Sequence, residues 1–233
     1  KELPPINLLM GGSPCQDLSR AKSDGEGLKG NRSGLFWEYV RVLKETQPNY
    51  FLLENVVMNK KDEQLITKEL GVNPIEINSN LVSAQNRRRL YWTNIPNVNQ
   101  PQDKGILIKD ILLTEPFQLF TDQRIEDTKV LTKNYIKWDV SKKGYYSQQD
   151  RAYFKDGKMC CVPKSQVKSK VNVVESEGVY RRLSPIEVER LQTVPDNYTE
   201  GVSDTQRYNM IGNGWTVDVI AYIFKNLKEQ WKY

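Results

Sequence analysis

The run Ile6 to Met10, followed by Gly11-Gly12-Ser13-Pro14-Cys15-Gln16-Asp17-Leu18-Ser19, constrains this chain more than any other stretch. A short apolar run bounded by Gly and Pro predicts a buried strand that ends in a tight turn. Such a turn lifts Cys15 to the carboxyl edge of a sheet, where open α/β folds place their ligands. Taken alone, a cysteine at a strand-to-loop corner is most often a small buried side chain. Its company decides otherwise. Leu35 to Leu43 has the apolar spacing of a helix, stopped by Pro48. Tyr50 to Leu53 reads as the next parallel strand and delivers Glu54 at its carboxyl end. Met58 to Leu70 reads as a helix closed by Gly71, and Pro74 to Ile77 and Leu90 to Thr93 as further strands with an arginine cluster between them. This alternation predicts a parallel sheet, with Cys15 and Glu54 emerging from one edge of it.

Asn97 to Gln102, with its Pro and Asn, reads as a linker, and Lys104 to Tyr180 as an irregular, partly β region. Between Thr128 and Asn172 there are eleven Lys and Arg against three Asp, a surplus of +8, so the rest of the chain carries −3 of the net +5. Tyr135, Trp138, Tyr145, Tyr146, Tyr153 and Phe154 are interleaved with these bases. Cations displace counterions from phosphates, so a basic, aromatic-rich insert suits a nucleic-acid face. Ser184 followed by Pro185 marks a helix start running to about Thr193, and Val217 to Trp231 reads as a closing amphipathic helix. The chain therefore divides into residues 1–96, an insert over 97–180, and a return over 181–233.

The absence of histidine removes the commonest acid–base group and metal ligand, leaving Cys, carboxylates, Arg and Lys. Cys15, Cys160 and Cys161 are too few and too poorly spaced for a disulfide framework or a zinc site, so no metal and a reducing, cytoplasmic compartment are expected. No stretch of eighteen apolar residues occurs, so no membrane span is expected.

Ser13-Pro14-Cys15-Gln16 resembles the nucleophile motif of the DNA cytosine-5 methyltransferases, and four more blocks of that family follow in order. They are Glu54-Asn55-Val56, Gln85-Asn86-Arg87-Arg88-Arg89, the stretch Arg181 to Tyr198, and Gly212-Asn213-Gly214-Trp215. Trp215, and Val57-Met58 after the glutamate block, lean towards the de novo branch and its bacterial or phage relatives. The resemblance implies a Rossmann-like class I methyltransferase sheet carrying a small, partly β target-recognition domain. It implies S-adenosylmethionine as cofactor, with Pro14, Leu35, Asn213, Gly214 and Trp215 on its side, and double-stranded DNA as partner. Gln16, Ser19, Gln85, Arg88, Lys142, Lys143 and Arg151 are the expected DNA contacts.

The same resemblance gives the chemistry. Cytosine C5 is a weak nucleophile, and a Cys15 thiolate adding at C6 turns it into an enamine-like carbon that attacks a sulfonium methyl. Glu54 is expected on N3 and the exocyclic amine, and Arg87 and Arg89 on the base O2 and nearby phosphates. The base must leave the stack, and the glycine-rich stretch Gln16–Gly34 suits a lid. Water or hydroxide is expected to take the C5 proton. Two departures stand out. Gly214 replaces the usual serine and carries no hydroxyl. The family's Phe-x-Gly-x-Gly turn is not found, so the expectation is a fragment, or one subunit of a split enzyme, lacking the first strands of the sheet and part of the cofactor pocket.

Overall fold

The computed structural model describes residues 5–13, 34–137, 151–162 and 172–227. They fall into two compact units: one of Lys1–Asn78, Arg88–Gln100 and Tyr222–Tyr233, and one of Ser79–Arg87 and Pro101–Ala221. In chain order the elements begin β1 (Leu8–Gly12), α1 (Leu35–Thr46), β2 (Tyr50–Val56), α2 (Lys60–Leu70), β3 (Ile75–Asn78), β4 (Gln85–Asn86) and β5 (Arg88–Thr93). They continue as α3 (Ile108–Ile111), β6 (Gln118–Phe120), α4 (Gln123–Thr128), β7 (Val130–Leu131), β8 (Tyr135–Lys137), β9 (Arg151–Tyr153) and β10 (Met159–Cys160). The last are β11 (Asn172–Ser176), β12 (Val179–Arg182), α5 (Pro185–Leu191), α6 (Asp204–Asn213) and α7 (Val217–Phe224).

The first unit is built on a sheet of order β1-β2-β5-β3. β1 and β2 are parallel, with Gly12 opposite Glu54, as the alternation of strand and helix requires. β5 is antiparallel to both of its neighbours, so the sheet is mixed rather than wholly parallel. The cause is connection length. Residues 79–87 join β3 to β5, too few for the crossover of a dozen or more residues that a parallel neighbour needs. Leu52 and Leu53 of β2 are both fully buried, as expected of a strand covered on both faces. Phe36, Val40, Phe51, Leu53, Met58, Ile66, Leu70, Leu90 and Trp92 form the core beneath α1 and α2. Trp92 fits inside because its indole N–H donates to the Thr67 hydroxyl at 3.0 Å. Asn59 caps α2 by accepting from the Asp62 N–H, and Gly71 ends it with φ +70°, a conformation for which glycine has no steric cost.

The second unit carries a six-stranded sheet of order β6-β12-β11-β9-β8-β7 and a short parallel pair, β10-β4. Its main core gathers Ala84, Ile108, Ile111, Tyr153, Met159, Val162, Val173, Leu183, Val188, Leu191, Tyr208 and Ile211. The 184–187 helix signal is realised in full. The Ser184 Oγ accepts from the Glu187 N–H, the Glu187 carboxylate accepts from the Ser184 N–H, and Pro185 opens α5. α5 ends at Leu191, two residues short of the sequence expectation, because Thr193 turns left-handed at φ +56°. Glu187 also takes the Leu113 N–H and pairs with Arg181, both side chains fully buried, so one carboxylate ties β12, α5 and the chain after α3 together. The closing helix is α7 followed by a tight turn over Lys225–Leu227, and the expected continuation to Trp231 lies outside the described residues.

Without Glu187, buried Arg181 keeps only the longer contacts to Glu175 at 3.4 Å and to the Leu113 carbonyl, and a buried charge that loses its short partner costs more than the pair stabilised. Glu187→Ala is therefore expected to lower unfolding free energy by about 3–5 kcal/mol, measured as a shift of the urea midpoint at unchanged slope. A loss under about 1 kcal/mol would show that Arg181 finds other acceptors.

Candidate active site

Within the first unit the parallel pair β1–β2 brings two family blocks side by side. Asn55 is buried, and its amide donates to the Ser13 hydroxyl at 3.0 Å and to the Ser13 carbonyl at 3.4 Å, while its own oxygen accepts from the Val56 N–H at 2.8 Å. Ser13 lies two residues ahead of Cys15 in the chain. Cys15 itself, with Pro14, Gln16 and Ser19, lies outside the described residues. Glu54 is only 8% exposed, and the Arg89 Nε approaches its carboxylate to 3.0 Å. Register explains the meeting, since Arg89 pairs with Val56 and Tyr91 with Glu54 on the adjacent antiparallel strand. Arg89 also donates from Nη1 to the Arg88 carbonyl at 2.8 Å, which fixes the guanidinium plane beside the carboxylate. Arg88 points outward and pairs with Glu76. Leu35 stands exposed at the start of α1.

Within the second unit a different set comes together. Gln85 is fully buried: its Nε2 donates to the Leu191 carbonyl and to Gln192 Oε1, and its Oε1 accepts from the Val162 N–H. An expected DNA contact thus has its amide taken up inside the fold. Arg87 is 5% exposed, and its guanidinium donates to the Gly214 carbonyl at 2.9 Å and to the Cys161 sulfur at 3.0 Å. Arg151 lies over the Tyr135 ring, 4.7 Å from its centre. Lys142 and Lys143 lie outside the described residues.

Gly214 and Trp215 line a cavity of about 350 Å³ whose other walls are mainly Val194, Pro195, Tyr198, Met210 and Val217. The wall from Asn197 to Thr199 is held by Glu189, a fully buried carboxylate that sequence reasoning passed over. It accepts from the Asn197 N–H at 2.7 Å, the Thr199 N–H at 2.9 Å, the Thr199 hydroxyl at 2.5 Å and Arg207 at 3.0 Å. Burial alone would raise its pKa, but the Thr199 hydroxyl and N–H, Arg207 and Asn197 together hold it below the usual carboxylate value. Gln192 and Thr216 were also passed over. The only sequence signal for Glu189 and Gln192 is that each directly follows an apolar residue of the spaced set Val188, Leu191 and Val194.

The family model for C-5 cytosine-specific DNA methylase matches residues 1–229. The chain belongs to this family. It is accordingly an enzyme of the DNA (cytosine-5-)-methyltransferase class. The chain is 29% identical over 270 residues to the Type II methyltransferase M.FnuDI of Fusobacterium nucleatum, covering 98% of this chain and 78% of that protein. Among solved structures, the Entamoeba histolytica methyltransferase EhMeth superimposes with a TM-score of 0.67 at 20% identity, covering 96% of this chain and 78% of the other. The Dnmt2 methyltransferase of S. pombe gives a TM-score of 0.60 at 20% identity, covering 97% and 79%. These likenesses establish the Rossmann-like α/β fold of class I methyltransferases. Among the described residues no helix is long and apolar enough to cross a membrane.

Two measurements probe this cluster of the second unit. A carboxylate with a depressed folded pKa contributes stability that is full above its unfolded pKa and is lost as pH falls towards the folded value. Amide exchange at Asn197 and Thr199 should therefore quicken as pH falls past about 4.3, once corrected for intrinsic exchange, and Glu189→Gln should abolish that dependence. At Gly214, φ is −70°, and an added Cβ would meet the Ile211 and Met210 carbonyls at 3.4 Å. Serine therefore fits, and Gly214→Ser should stay within about 0.5 kcal/mol of wild type in chemical denaturation.

Proposed function

We propose that the chain methylates C5 of a flipped cytosine in duplex DNA through a covalent Cys15–C6 adduct, with S-adenosylmethionine as methyl donor. One observation carries the reading. The parallel pair β1–β2 sets Glu54 and its partner Arg89 opposite the end of β1, while Asn55 holds Ser13 just before Cys15.

In this reading the Cys15 thiolate adds to C6 and electron density moves to C5. Glu54 accepts a hydrogen bond from the exocyclic amine and, once N3 carries a proton, from the N3–H, which favours the protonated ring as the thiolate adds. Arg89 fixes the Glu54 carboxylate and donates to the base O2. After C5 is methylated, water or hydroxide removes the C5 proton and the C6–S bond breaks, returning Cys15 as thiolate. Buried Glu54 has no competing water on its inner side, so its hydrogen bonds are aimed in advance of the charge they stabilise.

S-Adenosylmethionine supplies a methyl group activated on a sulfonium. The cavity beside Gly214 and Trp215 is apolar and offers an aromatic face, which suits a flat purine. We assign Asn213, Gly214 and Trp215, with Pro14 and Leu35, to holding it. A separate segment or partner carrying a glycine-rich turn would complete the pocket. Residues 97–180 are assigned to target recognition, with Gln16, Ser19, Arg88, Lys142, Lys143 and Arg151 facing DNA. The Type II relatives suggest a restriction–modification setting and a cytoplasmic, nucleoid-associated enzyme.

The test is transfer of labelled methyl groups to mixed-sequence duplex DNA, with trapping on duplexes containing 5-fluorocytosine. Wild type, alone or supplemented with a segment bearing the glycine-rich turn, should transfer and trap. Cys15→Ser should lose both, with a drop of at least about 10³-fold, as nucleophile removal requires. Transfer that survives in Cys15→Ser sinks the adduct. Transfer to RNA in preference to duplex DNA overturns the substrate.

A further inference from the structure

Gln192 lies outside every residue set assigned to the reaction, yet its polar atoms converge on one turn. Its Nε2 donates to the Ile211 carbonyl at 2.9 Å and to the Gly214 carbonyl at 3.0 Å. Its Oε1 accepts from the Thr216 hydroxyl and from Gln85 Nε2, each at 2.8 Å. Its backbone carbonyl accepts from the Val217 N–H at 3.0 Å. The side chain is 1% exposed, so each bond is made without competing water. Trp215 is thus flanked on both sides by groups fastened to a single residue.

The neighbours strengthen the fastening. The Gly214 carbonyl receives a second buried donor from Arg87, and the Ser79 hydroxyl donates to Thr216 at 2.8 Å. Thr193 adopts φ +56°, which is strained for a β-branched residue, and in that conformation its hydroxyl accepts from the Asp218 N–H at 2.8 Å. Strain kept directly after Gln192 means that the surrounding bonds over-determine this bend.

We propose that Gln192 is a positioning residue for the cofactor side of the reaction. Assisted by Thr216 and Arg87, it fixes the Gly214–Trp215 peptide so that Trp215 is presented before the cofactor arrives. This rests on the assignment of Gly214 and Trp215 made under the proposed function. A preorganised turn spares the ordering cost at binding, so the effect belongs in cofactor affinity and not in the chemical step.

Gln192→Met keeps the volume and removes all side-chain bonds to the turn. Expected are faster amide exchange across Met210–Val217, and a KM for S-adenosylmethionine raised about tenfold with kcat at saturation and KM for DNA near wild type. Exchange in β2 and β5 should be unchanged. Thr216→Val, which is isosteric, should shift both readouts in the same direction by less. If Gln192→Met does not fold, Thr216→Val alone decides. Unchanged exchange over Met210–Val217, or a fall in kcat with an unchanged cofactor KM, overturns the proposal. Wild-type chain that transfers no methyl group under any condition overturns the reaction instead; that result is distinct from active wild type with a Gln192→Met variant of equal cofactor KM.

Discussion

A buried amide side chain has two donors and an acceptor to satisfy, and leaving any of them dry costs more than the bond itself is worth. Gln192 and Gln85 resolve this jointly, each meeting part of the other's demand and spending the remainder on backbone of Leu191, Val162, Ile211 and Gly214. The arrangement is all or nothing. A single missing member would leave several groups stranded, so the end of α5, β4 and the turn before α7 are specified together. Apolar packing fills the same unit but is tolerant of small shifts; these bonds are what give it one arrangement.

The first unit solves its polar problem differently. Glu54 and Arg89 are near-buried charges on adjacent antiparallel strands, and they meet because β5 runs backwards between β2 and β3. A parallel strand at that place would have a different hydrogen-bond stagger against β2. The exception in the sheet and the pairing of charges therefore have one origin, the short connection over residues 79–87. Asn55 repeats the logic on the other flank, where its amide bridges β2 to Ser13 of the β1 exit.

Much of this was legible in the residues. The β1 run, the helix from Leu35, the Gly71 stop and the Ser184 capping box are local signals, decided by propensities and caps within a few residues. The block order carried the family. What escaped was non-local. The Gln85–Gln192 bond spans 107 residues and the Ser79–Thr216 bond spans 137, and no periodicity announces such partners. Arg87 and Arg89 look alike in sequence, two positions apart, where a continuous strand would set both on one face, and only the three-dimensional arrangement separates one that pairs with Glu54 from one that holds Gly214.

The placement of β4 sets a timetable for synthesis. β3 and β5 flank it in sequence and pair with one another across a short gap, so the sheet of β1, β2, β3 and β5 is complete once Thr93 has emerged from the ribosome. β4 has to wait for β10, which begins at Met159. Synthesis proceeds at roughly 5–20 residues per second. For several seconds the loop over residues 79–87 is thus anchored at both ends and open in the middle, a tethered receptor for the strand still to be made.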